Sequence, residues 1–238
     1  MVKKIERKVS MERYLVAGII TLLIFSLGIT LGFVLDQKRL TWAEEKSSLQ
    51  KLSYESLQLQ YLYLDTLEDN EKSCGVLQTA LTNTLIDLGE TLNNLEYYRD
   101  ETKINKNDYN YLLRRFTIDN LKYWLFAKKS KELCDTDNVL ILYFFSREDC
   151  DICPNQGIIL SYFKELFQED LLIFPIDIDL RDEEPIISLI ESVYNIESYP
   201  SIVIEDVTHS RVVNKEELGK IICGFYKTPH KSCEKYLK

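Results

Sequence analysis

The chain has 238 residues, a hydrophobic share of 45% and a net charge of −9 at pH 7. This length suits one domain with appendages, or two small domains. The first 13 residues carry five basic and two acidic side chains, whereas the rest of the chain carries 24 basic against 36 acidic ones. An acidic body repels phosphate backbones, and no basic stripe with interleaved aromatic residues offsets that repulsion. We therefore expect no nucleic-acid partner.

A long apolar segment, residues 14–35, contains no charged side chain. As a helix its 22 residues reach about 33 Å, enough to cross a hydrocarbon layer of roughly 30 Å. A buried core helix and a cleaved signal peptide are the alternatives. The apolar core of a signal peptide usually has about 7 to 15 residues and precedes an A-x-A-like site, which is missing here. The segment predicts a single transmembrane helix that follows a cytoplasmic N-terminal tail, residues 1–13.

The orientation of this span follows from its flanking charges and from the cysteines. The basic residues near it are Lys3, Lys4, Arg7, Lys8 and Arg13 before the span, and Lys38, Arg39, Lys46 and Lys51 after it. The positive-inside rule favours a cytoplasmic N-terminus by this small margin. All six cysteines lie beyond the span, which suits an oxidising compartment. We expect a cell-membrane protein whose residues after 35 are extracytoplasmic.

Leucines recur at helical spacing from about Thr41 to Asp100. They form one block of Leu49, Leu52 and Leu59, and a second of Leu77, Leu81, Leu85, Leu88, Leu92 and Leu95. Spacings of three, four and seven predict amphipathic helices with the leucines as core. The polar stretch Glu68 to Gly75 separates the blocks, with Ser73 as N-cap. The blocks form either a helical hairpin or a coiled-coil stalk that mediates a homodimer.

A third helix is predicted from about Tyr109 to Leu133, and it completes a helical stem over residues 36–133. Beyond it, short apolar segments alternate with helical ones. The predicted strands are Asn138–Ser146, Leu171–Asp179, Ser201–Glu205 and Arg211–Val213, and the predicted helices are Ile158–Phe167, Ile186–Tyr194 and Lys215–Cys223. The order β-α-β-α-β-β-α over residues 134–226 predicts an α/β domain with parallel crossovers and a final hairpin. A C-terminal tail, residues 227–238, follows.

Two cysteines, Cys150 and Cys153, follow the first predicted strand at the place where the next helix begins. A pair at this spacing is a redox couple, half of a zinc site or two unrelated thiols. At a helix N-terminus the unpaired N–H groups and the positive end of the dipole favour a thiolate. A closed zinc site needs four ligands, and the remaining histidines and cysteines nearby supply no second tight pair. The context favours a redox dithiol, and we expect neither a metal nor a cofactor.

From Asn138 to about Phe225 the sequence resembles the thioredoxin superfamily. The likeness rests on the C-x-x-C after an apolar strand, on "PIDID" and on "VYNIESYPSIVIE". It implies that Cys150 is the attacking thiol, that Cys153 is the resolving thiol, and that Pro200 is the cis-proline beside them. It further implies a thiol–disulfide oxidoreductase whose substrates are protein thiols or disulfides, with an electron donor or acceptor that the sequence does not identify.

The sequence departs from this family at the site. Asp149 replaces the usual Trp, Asp151 and Ile152 lie between the cysteines, and Phe144 stands where thioredoxins often carry a buried acid. That acid assists proton removal from the resolving thiol, and carboxylates beside Cys150 disfavour its thiolate. The alternative function is therefore a redox-inactive, thioredoxin-like interaction module tethered to the membrane.

Four further cysteines allow several alternative pairings. Nine residues, one of them a proline, separate Cys223 from Cys233, and such a segment can turn back on itself. We predict a bridge between these two, which is either a structural clamp or a second dithiol that exchanges electrons with Cys150. The sequence does not assign partners to Cys74 and Cys134.

Overall fold

The computed structural model describes residues 14–33, 35, 58, 59, 63, 66, 71–100 and 106–236. The N-terminal tail, residues 1–13, and most of the first leucine block lie outside the described residues. The chain forms two compact units, Met1–Asp65 and Thr66–Lys238.

The first unit contains helix α1 (Tyr14–Phe33). Its 20 residues are uncharged, and none of them is buried within the structure. By length and composition this helix can cross a membrane.

In the second unit, α2 (Glu71–Asp100) and α3 (Lys106–Cys134) form an antiparallel pair that a Cys74–Cys134 disulfide joins. The predicted N-cap at Ser73 is wrong, because the helix already includes Glu71 and the side chain of Ser73 is buried within it. The bridge holds this first turn against the end of α3, so the local polarity of the segment does not interrupt the helix.

The buried face of α2 is only partly the predicted leucine stripe. Leu77 is fully buried, whereas Leu85 and Leu92 are 52% and 44% exposed. Two threonines, Thr84 and Thr91, are buried in their place. Each donates its hydroxyl to the carbonyl four residues earlier, at 2.8 and 3.0 Å, and this satisfied hydroxyl can be buried at little cost. The prediction that all these leucines are core is therefore wrong.

A four-stranded mixed sheet and six α-helices make up the regular structure of the described residues, and the chain is thus a mixed α/β protein. The remaining elements are β1 (Val139–Phe145), α4 (Cys153–Phe167), β2 (Leu171–Asp177), α5 (Ile186–Tyr194), β3 (Ser201–Ile204), β4 (Val207–His209) and α6 (Lys215–Phe225). The strand order is β2-β1-β3-β4, with β1 parallel to β2 and the other neighbours antiparallel. Alternate side chains of β1 enter two cores: one with α4 and α6, the other with α3 and α5.

Helix α3 belongs to the second of these cores. Leu121, Trp124 and Ala127 are buried together with residues of β1, β2 and α5. The helix also protects the edge strand β2, because the side-chain amide of Asn120 donates to the Pro175 carbonyl at 2.8 Å. The sequence assigned this helix to the stem, whereas in the structure it shares the core of the sheet.

The predicted strand at Arg211–Val213 is wrong. Strand β4 lies earlier, because Glu205 and Asp206 form a two-residue turn in which φ is 47° and 70°. Two positive φ values in succession match the twist of a tight hairpin. Val213 is instead a fully buried loop residue whose N–H donates to Oε1 of Gln156 at 2.7 Å.

The C-terminal segment packs against α6. Cys233 and Tyr236 are 2% and 5% exposed, and the ring of Tyr236 lies against the bare Cα of Gly219. The disulfide between Cys223 and Cys233 is present as predicted. Residues 227–236 therefore contribute to the core, although the sequence indicated a tail.

Candidate functional site

The two cysteines of the C-x-x-C segment form a disulfide at the start of α4. This helix begins at Cys153 and not at Ile158, as the sequence indicated. Pro154 occupies its first turn, where a missing N–H costs nothing and the fixed φ suits a helix. The N–H of Cys153 donates to the Cys150 carbonyl at 3.3 Å and closes the turn.

The two sulfur-bearing residues differ in exposure. Cys153 is 1% exposed, whereas Cys150 is half-buried. A molecule from solvent therefore reaches Cys150 first. Three exposed side chains near it in sequence are acidic, Glu148, Asp149 and Asp151, and Arg147 and Ile152 are exposed as well. These carboxylates oppose the effect of the helix N-terminus on a thiolate at Cys150.

A single carboxylate, that of Asp179, braces the loop before Cys150. It accepts the hydroxyl of Ser146 at 2.7 Å and the backbone N–H groups of Arg147 and Glu148 at 2.8 and 3.2 Å. The Ser146 oxygen in turn accepts the N–H of Asp149 at 2.7 Å. Burial alone raises the pKa of Asp179, but these hydrogen bonds outweigh burial and lower it. The loop is thus held by an ionised group.

A second carboxylate lies behind this loop. Asp177, at the end of β2, is 6% exposed; it contacts the guanidinium of Arg147 and accepts the N–H of Asp179 at 3.1 Å. Burial raises the pKa of Asp177, and the charge of Arg147 only partly offsets it. The contact with Asp177 fixes the guanidinium of Arg147 at the start of the loop.

The strand below the disulfide supplies a tyrosine. The hydroxyl of Tyr143 donates to the Cys153 carbonyl at 2.6 Å, and burial raises the pKa of Tyr143 to about 12. Phe144, fully buried, enters the opposite core with α3 and α5. The face of β1 that enters the core with α3 and α5 is therefore apolar at Phe144, whereas Tyr143 presents a neutral hydroxyl donor to Cys153.

The third residue singled out in the sequence, Pro200, follows a cis peptide bond from Tyr199. Ser201 pairs with Phe144 in the antiparallel ladder. This register sets Pro200 opposite the end of β1, where the loop carrying Cys150 departs. The structure thus brings Cys150, Cys153 and Pro200 to the same end of the sheet.

The other two disulfides lie elsewhere. Cys134 precedes the start of β1, whereas Cys150 follows its end, and a seven-residue strand separates such positions by about 23 Å. Cys223 and Cys233 are 6% and 2% exposed, which is typical of a structural bridge. Within the described ranges, no group of three or more His, Cys, Asp or Glu side chains could hold a metal ion.

Reasoning from the sequence missed Tyr143, Gln156 and Asp179. Asp179 lies in the quoted "PIDID" but received no role. Gln156 follows Cys153 by three residues and occupies a position of the buried face of α4, so a polar residue in an apolar stripe was the available signal. Tyr143 carried no signal, because a tyrosine is an ordinary strand residue.

Comparisons with known proteins give little. No protein-family model matches the chain, and neither does any curated protein. A solved malarial protein is 18% identical over 38% of this chain and 99% of its own, with a TM-score of 0.31. Chloroplastic thioredoxin z, whose crystal structure is described as defining a type-specific target recognition, is 19% identical over 42% of this chain and 88% of its own, with a TM-score of 0.33. Both likenesses are slight.

Proposed function

We propose that this protein is a membrane-anchored, extracytoplasmic thiol–disulfide oxidoreductase of thioredoxin-like fold, which acts through Cys150 and Cys153 on protein thiols and disulfides. The observation that carries the proposal is the difference in exposure within one disulfide at a helix N-terminus. An accessible sulfur paired with a buried one is the arrangement that directs attack to a single atom.

Oxidation of a substrate begins when a substrate thiolate attacks Sγ of Cys150. The Cys150–Cys153 bond breaks, and Cys153 leaves as a thiolate with the bonding electron pair. A second substrate thiolate then attacks the substrate sulfur of the mixed disulfide and releases Cys150. The substrate loses two electrons and becomes a disulfide, while the enzyme pair becomes a dithiol.

Reduction of a substrate is the same sequence in reverse. The thiolate of Cys150 attacks a substrate disulfide, and Cys153 then attacks Cys150 Sγ and releases the second substrate thiol. The hydrogen bonds of the Asp179 carboxylate and of the Tyr143 hydroxyl hold the two cysteines in place during both oxidation and reduction of a substrate.

The membrane part of the proposal rests on α1, whose length and apolar composition suit a single span. The excess of basic residues before this helix favours a cytoplasmic N-terminus. A thiol reagent that cannot cross membranes tests this orientation: after mild reduction of intact cells it should label Cys150. Labelling that requires cell lysis would contradict the proposed orientation.

The exchange activity is tested with the full chain in detergent. We expect dithiothreitol to open Cys150–Cys153 under native conditions, Cys150→Ser to abolish exchange with a disulfide-bonded protein substrate, and Cys153→Ser to accumulate a mixed disulfide at Cys150. A matched control replaces another bridge: Cys74→Ser with Cys134→Ser should keep the activity.

The alternative, a redox-inactive interaction module, predicts a different result. In that case dithiothreitol leaves the Cys150–Cys153 bond intact in the folded protein, and Cys153→Ser traps no substrate. Either result with a correctly folded chain would rule out the oxidoreductase.

A further inference from the structure

One polar group beside the disulfide is buried without a partner. The side chain of Gln156 is fully buried, and its Nε2 has no hydrogen-bond partner among the described residues. An orphaned buried donor costs about 1–3 kcal/mol, and such groups are rare in native structures. This position in α4 therefore calls for a physical explanation.

The orientation of the amide is fixed by its neighbour. The N–H of Val213 donates to Oε1 of Gln156 at 2.7 Å. Turning the amide over would set its NH₂ group against another donor, so Nε2 is the free end. The orphan is therefore a genuine hydrogen-bond donor and not an acceptor assigned the wrong way round.

Helix geometry directs this donor towards the disulfide. Cys153 and Gln156 are three residues apart and both belong to the buried face of α4, so their Cβ atoms lie roughly 5–6 Å apart. Side chains on a helix lean back over the preceding turn. For Gln156 the preceding turn is the one that contains Cys153.

Cys153 is 1% exposed, so bulk solvent hardly reaches its sulfur. The core that α4 packs into is apolar, with Leu160, Phe163 and Val213 fully or almost fully buried in one cluster. The hydroxyl of Tyr143 is already engaged with the carbonyl of Cys153. Phe144 occupies the opposite core and cannot supply a charge or a donor.

We propose that Gln156 is the hydrogen-bond donor to the Cys153 thiolate that forms when the disulfide opens. This inference rests on the proposed function and assigns a role in its first step. A disulfide sulfur is a weak acceptor, so the amide is unpartnered in the oxidised protein. When a substrate thiolate attacks Cys150 and Cys153 leaves with the electron pair, its sulfur becomes an anion, and a hydrogen bond to the charged form favours that form.

The first experiment measures the pKa of Cys153 in the full chain carrying Cys150→Ser, from the ultraviolet absorbance of the thiolate. Adding Gln156→Met should raise this pKa by about 1 to 2, the equivalent of one hydrogen bond to a charged group. With both cysteines present, the same substitution should slow opening of the disulfide by dithiothreitol about 3- to 10-fold, because a leaving thiol of higher pKa leaves more slowly. An exposed neighbour supplies the matched control, and Asn155→Met should change neither quantity.

Gln156→Met also removes the acceptor for the Val213 N–H and can destabilise the fold, so a second measurement leaves Gln156 in place. In chain labelled with ¹⁵N-glutamine and carrying Cys150→Ser, the side-chain amide signal of Gln156 should shift with the same apparent pKa as the thiolate absorbance. The Gln156→Met variant identifies the signal by its absence. An amide signal that stays constant while Cys153 titrates would falsify the proposal. If dithiothreitol does not open the disulfide at all, the proposed oxidoreductase function is wrong. If the disulfide opens but the amide signal stays constant, only the role of Gln156 is wrong.

Discussion

The hydroxyl of Tyr143 lies 2.6 Å from the carbonyl oxygen of Cys153 and ties the central strand to the first residue of α4. The carbonyl belongs to the helix residue that bears the buried sulfur, so the bond fixes the backbone of the disulfide relative to the sheet. Helix ends fray readily when nothing outside the helix holds them. The relationship explains how the C-x-x-C turn is kept in one position.

Removing this hydroxyl with Tyr143→Phe should lower the free energy of unfolding by about 0.5–1.5 kcal/mol, the net value of one buried hydrogen bond. Urea unfolding with the disulfides intact measures it. Tyr111→Phe, at an exposed position of α3, is the control and should have almost no effect. Equal effects of the two substitutions would show that the Tyr143 bond does not stabilise the fold.

The Asp179 brace predicts a pH-dependent contribution to stability. The pKa of Asp179 is lowered from its ordinary value of 3.8, so its contribution is present above the pKa of the unfolded chain and disappears as pH falls through the folded-state pKa. We expect Asp179→Asn to lower the free energy of unfolding by about 1–2 kcal/mol at pH 7 and by less at pH 3. Chemical unfolding at both pH values measures the difference.

Asp182→Asn is the control for this prediction, because Asp182 is exposed. This substitution should leave the free energy of unfolding unchanged at both pH values. A cost for Asp179→Asn that is the same at pH 7 and pH 3 would show that the ionised carboxylate is not what holds the loop.

Replacing two glycines of α6 by alanine should change the stability of the fold in opposite directions. A Cβ at Gly219 would overlap the ring of Tyr236, whereas a Cβ at Gly224 meets no atom within 4 Å. Gly219→Ala should therefore cost about 1–3 kcal/mol through overpacking. Gly224→Ala should gain up to about 1 kcal/mol from helix propensity. Thermal unfolding compares them, and a stabilising Gly219→Ala would show that the C-terminal segment does not pack on α6.

The leucines of α2 give a matched pair on one helix. Leu77 is fully buried and Leu85 is 52% exposed, although the sequence places both on one stripe. Leu77→Ala should cost about 2–5 kcal/mol, and Leu85→Ala should stay within about 0.5 kcal/mol. Urea unfolding of the two variants measures these losses of unfolding free energy. If both leucines were core residues, as the leucine stripe predicted, the two losses would be large and similar.

The sequence alone determined the local elements that a strong periodicity encodes. Helix α5 has the predicted bounds, Ile186–Tyr194, and the apolar runs at β1, β2 and β3 are strands within one or two residues of the predicted ends. The bridge between Cys223 and Cys233 also followed from spacing. These features depend on neighbours along the chain, because hydrophobic periodicity and short loops are local properties.

Only the tertiary structure decided the features that depend on distant residues. The hairpin turn at Glu205 and Asp206 lacks the usual Asn-Gly signal, so the position of β4 emerged only from its pairing with β3. The leucine periodicity of α2 did not reveal that Thr84 and Thr91 would be buried in place of Leu85 and Leu92. Packing selected that face, because the partner helix α3 is fixed by its own contacts with the sheet.

The candidate site divides in the same way. The sequence identified Cys150, Cys153 and Pro200, because a C-x-x-C after a strand and a proline before one are short patterns. Asp179 and Gln156 act through groups far along the chain, at Ser146 and Val213. A carboxylate can hold a loop, and a buried amide can be left without a hydrogen-bond partner, only after folding brings distant residues together and excludes water. No local sequence pattern indicates these contacts.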